Sequence, residues 1–318
     1  MRTTQTPRSQ VQRKRKMRYY QYLQNGTKHV GVEDDAGQVT DLTALNSQIG
    51  STLDLFKTAS ITGSDIDSVT RGILAANKGA ATTSAAEMLE GAKPGCHGVT
   101  LLPPVDAPEV WAFGVTYMDS MRERQAESGS PDVYAKVYDA DRPESFFKAT
   151  LDRLQSPFDE VGIRGDSGWD VPEPELAFVT YGGKIVGYTC GNDMSSRTIE
   201  GENPLYLPQA KVYDKSASLG PALVSKESIG DAQKLSVTLT IDRDGKEAFR
   251  GEANTADMKR DCEYLVGWLV RHNSIPDGTS VMTGTGTIPP PEFTLQAGDV
   301  VNITIDKIGT LTNTVVVV

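Results

Sequence analysis

The period of the apolar positions changes along the chain, and the changes divide it. Over residues 17–39, apolar and aromatic positions are broken at Asn25-Gly26 and Asp35-Ala36-Gly37, which predicts short strands joined by tight turns. Between residues 41 and 91 the period lengthens. Leu53, Leu55 and Phe56, then Ile66, Val69, Ile73 and Leu74, recur at helical spacing between Gly and Ser breaks. A Pro-rich link follows at residues 102–108, where proline locks the backbone and marks a domain boundary. Beyond it, residues 176–180 and 184–188 read as strands about a Gly182-Gly183 turn, and residues 235–241 alternate apolar and hydroxyl side chains before Asp244-Gly245. Met258, Cys262, Leu265, Val266 and Leu269 share a helical face that Asn254 or Thr255 can cap. Residues 300–305 and 310–318 are two more strands around Gly309. The pattern predicts an α+β, β-rich chain: a basic tail at 1–16, a small mixed N-terminal domain at 17–104 and a larger β-rich domain at 105–318.

Composition narrows the class. With 38% hydrophobic and 23% charged residues in 318, the chain is globular rather than disordered. It has no apolar run near the roughly 18 residues of a membrane helix, so a membrane is not among the expected partners. Three cysteines, far apart and in no CxxC pair, exclude a disulfide scaffold and fit a reducing, cytoplasmic setting. Three histidines without HxH or HExxH spacing leave a metal to oxygen ligands. Eight basic residues precede the first acid, Glu33; after them 24 basic residues face all 42 acidic ones. Such an acidic body argues against nucleic acid as the main partner, and the basic head predicts a disordered tail.

Four segments carry candidate chemistry. In Pro172-Glu173-Pro174-Glu175, proline keeps the backbone extended, so Glu173 and Glu175 point to one side. Paired carboxylates repel unless they share a cation, and the return strand can bring Asp193 back towards them. Three carboxylates and water suit Mg²⁺, Mn²⁺ or Ca²⁺; an exposed acidic strand edge is the plain alternative. Lys211, among apolar neighbours, is a candidate base or carboxylate holder, with a snorkelling surface lysine as its alternative. In the run from Thr283 to Pro290, glycines and the hydroxyls of Thr285 and Thr287 can meet an anion, although the run is neither a P-loop nor a dinucleotide fingerprint. Residues 142–148 place charged residues around an aromatic pair, either as a strand with charged ends or as a mobile loop holding a functional acid, Glu144. Thr116, Tyr117 and Ser120 follow a strand end, where sites often form. The histidines and the tryptophans read as structural.

Taken together and in this order, the segments resemble the fumarylacetoacetate hydrolase superfamily from about residue 109 to the C-terminus. The resemblance rests on Phe113-Gly-Val-Thr-Tyr117, Glu173-x-Glu175-Leu-Ala, Asn192-Asp-Met-Ser-Ser-Arg197, Ala210-Lys211, Thr283-Gly-Thr-Gly286, Gly298-Asp-Val300 and Ile308-Gly-Thr-Leu-Thr-Asn313. Residues 142–148 and 199–211 look like its branch of 2-keto-3-deoxy sugar acid dehydratases. The resemblance implies a mixed β-roll, Mg²⁺ (with Mn²⁺ or Ca²⁺ as substitutes) on Glu173, Glu175 and Asp193, and a homodimer or homotetramer. It further implies dehydration of 2-keto-3-deoxy-D-arabinonate or D-xylonate to 2,5-dioxopentanoate, with Glu144 and Lys211 catalytic. Thr116, Ser195, Ser196, Arg197, Thr285 and Thr287 are then the substrate-binding candidates. Hydrolases of this superfamily carry a His and a Glu where Ser120 and Glu123 align. A serine has no base function at neutral pH, which argues for a lyase over an acylpyruvate hydrolase.

Overall fold

A computed structural model describes residues 16–127 and 131–318; the basic tail expected at 1–16 lies, but for Lys16, outside them. Arg18–Gln24 (β1) and Thr27–Glu33 (β2) pair across Asn25-Gly26, whose φ angles of 52° and 77° are the left-handed pair that a two-residue turn requires. Gln38–Asp41 (β3) joins them. Leu42–Leu45 (α1) and Ile66–Ala76 (α3) start on Asp41 and Asp65, whose carboxylates accept first-turn amides, with Thr52–Thr62 (α2) between. Thr82–Ser84 (β4), Ala85–Gly91 (α4) and Thr100–Leu102 (β5) complete this part.

After the Pro-rich link come Glu109–Gly114 (β6), Met118–Glu127 (α5), Pro131–Asp139 (α6), Glu144–Thr150 (β7), Leu154–Gln155 (β8) and Glu160–Ile163 (β9). The longest strands, Asp170–Tyr181 (β10) and Lys184–Ser196 (β11), form the expected hairpin. Then follow Arg197–Glu202 (α7), Leu207–Lys211 (α8), Ala217–Ser225 (β12), Lys226–Ile229 (α9), Ser236–Arg243 (β13), Lys246–Asn254 (β14), Cys262–Leu269 (α10), Ser280–Met282 (β15), Val300–Ile305 (β16) and Gly309–Val317 (β17). The larger sheet runs β4-β3-β2-β1-β12-β11-β10-β15-β6-β7, with β5 on β1 and β8 on β12; the smaller runs β14-β13-β16-β17-β9. The pairing of β1 with β12 carries one sheet across the Pro-rich link. Both sheets are mixed, since β15 pairs parallel with β6 and β17 with β9.

Alternation along β10 builds two cores. Leu176 and Phe178 pack with Leu239, Ile241, Ile303 and Leu311 of the small sheet and with Leu265 and Leu269 of α10. Ala177 and Val179 face the other way, packing with Val110, Ala112, Leu55, Phe56 and Ile66. Among the described residues no helix is long and apolar enough to cross a membrane.

The helix expected from Asn254 or Thr255 begins later. Asn254 caps only a single tight turn, Thr255–Asp257, while Asp261 caps α10 by accepting the Tyr264 amide at 2.7 Å. Met258 between them is extended, drawn into a bridge with Tyr117 that removes it from the helix.

Asp67 on α3 ties the N-terminal helices to the central sheet. Its buried carboxylate accepts from Tyr19 Oη at 2.8 Å, Ser225 Oγ at 2.8 Å and Ser228 Oγ at 2.6 Å. Asp67→Ala leaves these hydroxyls without their acceptor, so urea denaturation should show a loss of about 2–3 kcal/mol. A loss under about 0.5 kcal/mol, the range of an ordinary surface substitution, would show that the tie does not hold the parts together.

Candidate active site and metal centre

Glu173 and Glu175 lie on the face of β10 that carries Ala177 and Val179, and the register sets Asp193 of β11 directly opposite Glu173. The three acids are 4%, 2% and 1% exposed, and one oxygen from each lies within 4.8 Å of the others. The sequence expectation of a returning strand that brings Asp193 to the Glu pair is met by this register.

Basic side chains converge on the acids from four elements. Lys211, the last residue of α8, donates from Nζ to Glu173 Oε2 at 2.9 Å, Asp193 Oδ2 at 3.0 Å and Ser195 Oγ at 2.5 Å. Its ammonium lies 5.6 Å from the centre of the Phe146 ring. Arg197, opening α7, ion-pairs with Glu173 Oε1 at 3.0 Å, and Arg124 of α5 donates to the same oxygen at 3.2 Å while pairing with Glu200. Lys148 of β7 is fully buried. It ion-pairs with Asp193 Oδ1 at 2.6 Å and donates to the carbonyls of Met194 at 2.8 Å and Lys211 at 2.5 Å.

These positions split the acids electrostatically. Burial pushes Glu173 up, but Lys211, Arg197 and Arg124 outweigh it and hold the carboxyl below the usual range. Glu175 is pushed well above that range by burial and by the neighbouring Asp193 and Glu173. Burial lowers the Lys148 ammonium to about 8, against the pull of Asp193. Glu144, half-buried at the start of β7, is raised by burial against the opposing pull of Arg124 and Lys211. It pairs with Gly114, where a Cβ would stand 2.0 Å from Glu144 Oε2; glycine makes the room for this acid.

The Thr-Gly run serves the acids through its backbone. The Gly284 amide donates to Glu175 Oε2 at 2.5 Å, and φ at Gly284 is 94°. Thr116 fixes the run by donating to the Thr283 carbonyl at 2.7 Å, so its hydroxyl is spent on structure. Thr285 is buried and donates to the Thr287 carbonyl at 2.9 Å. Thr287 turns its hydroxyl to β14, where a Cβ on Gly251 would meet it at 2.3 Å. Ser195 joins the acids through Lys211, whereas Ser196, one residue on, caps α7 and bonds to Ser167. Ser196 makes no side-chain bond to the acids, because local capping uses its hydroxyl, and Thr287 lies against β14.

Sequence reasoning missed Lys148 and Arg124. Lys148 had one signal, a lysine between Phe147 and Ala149 inside a strand. Arg124 had none, because it reaches the acids from a helix whose arrival depends on the tertiary fold.

The donor set fits a hard divalent cation: all oxygen, buried, and including one carboxyl that burial and its acidic neighbours drive upward until positive charge joins it. A family model described as fumarylacetoacetate (FAA) hydrolase C-terminal matches residues 109–316. The chain belongs to the fumarylacetoacetate hydrolase family. Family relatives sharpen the comparison. The chain is 46% identical over 302 residues, 95% of its length and 100% of the relative's, to a probable 2-keto-3-deoxyxylonate dehydratase of Haloferax volcanii. It is 44% identical over 221 residues, 68% of this chain and 74% of the relative, to 2-dehydro-3-deoxy-D-arabinonate dehydratase of Saccharolobus solfataricus. A solved structure of 2-keto-3-deoxy-D-arabinonate dehydratase complexed with magnesium and 2,5-dioxopentanoate matches with a TM-score of 0.79 at 33% identity, covering 95% of this chain and 99% of that one.

A Cβ on Gly284 would stand 1.9 Å from Thr116 Oγ1, so Gly284→Ala should push the run away and withdraw the amide from Glu175. We expect divalent-cation affinity, read by calorimetry, to fall about tenfold or more. Unchanged affinity would show that the amide does not orient Glu175.

Proposed function

We propose that this protein is a Mg²⁺-dependent hydro-lyase that converts 2-keto-3-deoxy-D-arabinonate, equally D-xylonate, into 2,5-dioxopentanoate in pentose catabolism. The observation that carries the reading is the buried Glu173, Glu175 and Asp193 triad with Lys211 bonded into it, in a chain that matches dehydratases along nearly its whole length.

Held by the three carboxylates, Mg²⁺ supplies Lewis acidity to the keto acid end of the substrate, which makes the C3 hydrogen easier to remove. Lys211 takes that proton or stabilises the negative charge it leaves. Glu144, kept protonated to higher pH by its burial, gives a proton to the departing C4 hydroxyl. The C3–H and C4–O bonds break and water leaves; a hydrogen then moves from C5 to C3, and the enol at C4–C5 becomes the aldehyde. Arg197 is our choice for the substrate carboxylate, with Ser195 holding Lys211 in line. Ser120, at the position where the family's hydrolases carry histidine, is buried and gives no base to activate water.

The three cysteines are free, which supports a reducing, cytoplasmic setting. Leu205 and Tyr206, exposed just before α8, are our choice for part of the interface of a homodimer or homotetramer.

Proton NMR of the protein with Mg²⁺ and 2-keto-3-deoxy-D-arabinonate should show the C5 aldehyde or its hydrate, and EDTA should abolish it. Persistence of the substrate, together with cleavage of an acylpyruvate in a parallel tube, would replace the dehydratase by a hydrolase. Glu144→Gln should leave Mg²⁺ binding intact and lower kcat by about 10²–10⁴-fold. A near-normal kcat would remove Glu144 from the chemistry.

A further inference from the structure

Each acid of the triad has an oxygen held by the protein, and Lys211 also reaches the second oxygens of Glu173 and Asp193. Glu173 Oε1 meets Arg197 at 3.0 Å and Arg124 at 3.2 Å, and Glu175 Oε2 meets the Gly284 amide at 2.5 Å. Asp193 Oδ1 meets Lys148 Nζ at 2.6 Å. The other oxygens of Glu173 and Asp193 face a common point, since Lys211 Nζ bonds to both of them.

Lys148 is held from three sides. Val110 pairs with Ala149 and Trp111 with Phe147, so Lys148 is the extra residue of a β-bulge, a device that re-aims a side chain beside a site. Its ammonium is held by the ion pair to Asp193 and by its bonds to the Met194 and Lys211 carbonyls. It therefore cannot follow Asp193 if the carboxylate turns.

We infer that Lys148 is a positioning residue that limits Asp193 to one ligating oxygen and so sets the preference of the centre for Mg²⁺ over Ca²⁺. The inference rests on the Mg²⁺ reading above. Mg²⁺ takes six oxygens in a tight octahedron at about 2.0–2.1 Å, one from each carboxylate. Ca²⁺ takes six to eight at about 2.3–2.6 Å and draws readily on carboxylates through both oxygens. An Asp193 released from Lys148 can turn to offer both.

The test titrates EDTA-stripped full-length protein with MgCl₂ and with CaCl₂ in a calorimeter, for the wild type, Lys148→Met and Lys148→Gln, with thermal melts to verify folding. Removing a cation strengthens binding of both ions, so the ratio of the two Kd values isolates the geometric effect. Wild type should prefer Mg²⁺. The ratio Kd(Ca²⁺)/Kd(Mg²⁺) should fall about tenfold or more in Lys148→Met, and by less in Lys148→Gln, which keeps a donor. An unchanged ratio in a folded variant overturns the inference, and so does a wild type that binds Ca²⁺ as tightly as Mg²⁺. If Lys148→Met does not fold, Lys148→Gln decides in its place. A wild type that binds neither ion instead removes the Mg²⁺ reading on which the inference rests.

Discussion

Like charges crowded away from water govern this structure. Two ionised carboxylates at the 4.8 Å limit of the triad repel by about 3–4 kcal/mol at an effective dielectric constant of about 20, and ionising all three acids would create three such pairs. The chain answers with Lys148, Lys211, Arg124 and Arg197, brought in from β7, α8, α5 and α7. Each is nearly or fully buried, which is costly for a cation unless it is paired. The acids and the bases thus require one another, and elements far apart in sequence meet where that requirement is satisfied.

The sheet makes the meeting possible. β10 and β11 are long enough for one end of the hairpin to pack into both cores while the other carries the acids. β12 binds β11 on one side and β1 on the other, so the N-terminal strands extend the same sheet that holds Asp193. Asp67 adds a polar clasp at that junction. The N-terminal part is therefore coupled to the site through backbone pairing as well as by packing.

Much of this was legible in the residues. The Glu173-x-Glu175 pair, the Gly182-Gly183 turn and the alternation of residues 235–241 are local signals, and each led to the strand that forms. What was not legible depended on partners distant in sequence. Met258 belongs to the apolar face of α10 by spacing, yet pairing with Tyr117 keeps it extended and moves the cap to Asp261. That the Ser196 hydroxyl caps a helix was not legible either, because the cap depends on where α7 begins. Lys148 looked like the charged end of an aromatic strand, because a bulge is decided by the register with β6 and not by composition.

That bulge has a consequence for how such a protein can change over generations. β7 is the last strand of its sheet, with β6 as its one neighbour in the strand order. Here the count of residues is itself constrained. Removing one residue between Glu144 and Lys148 would let the ladder with β6 close without a bulge, at little cost in backbone pairing, while shifting one of the two side chains out of place. Point substitution can explore this strand freely at Ser145, which is exposed, but insertion and deletion cannot. The length of this edge strand is as tightly specified as the identity of a ligand.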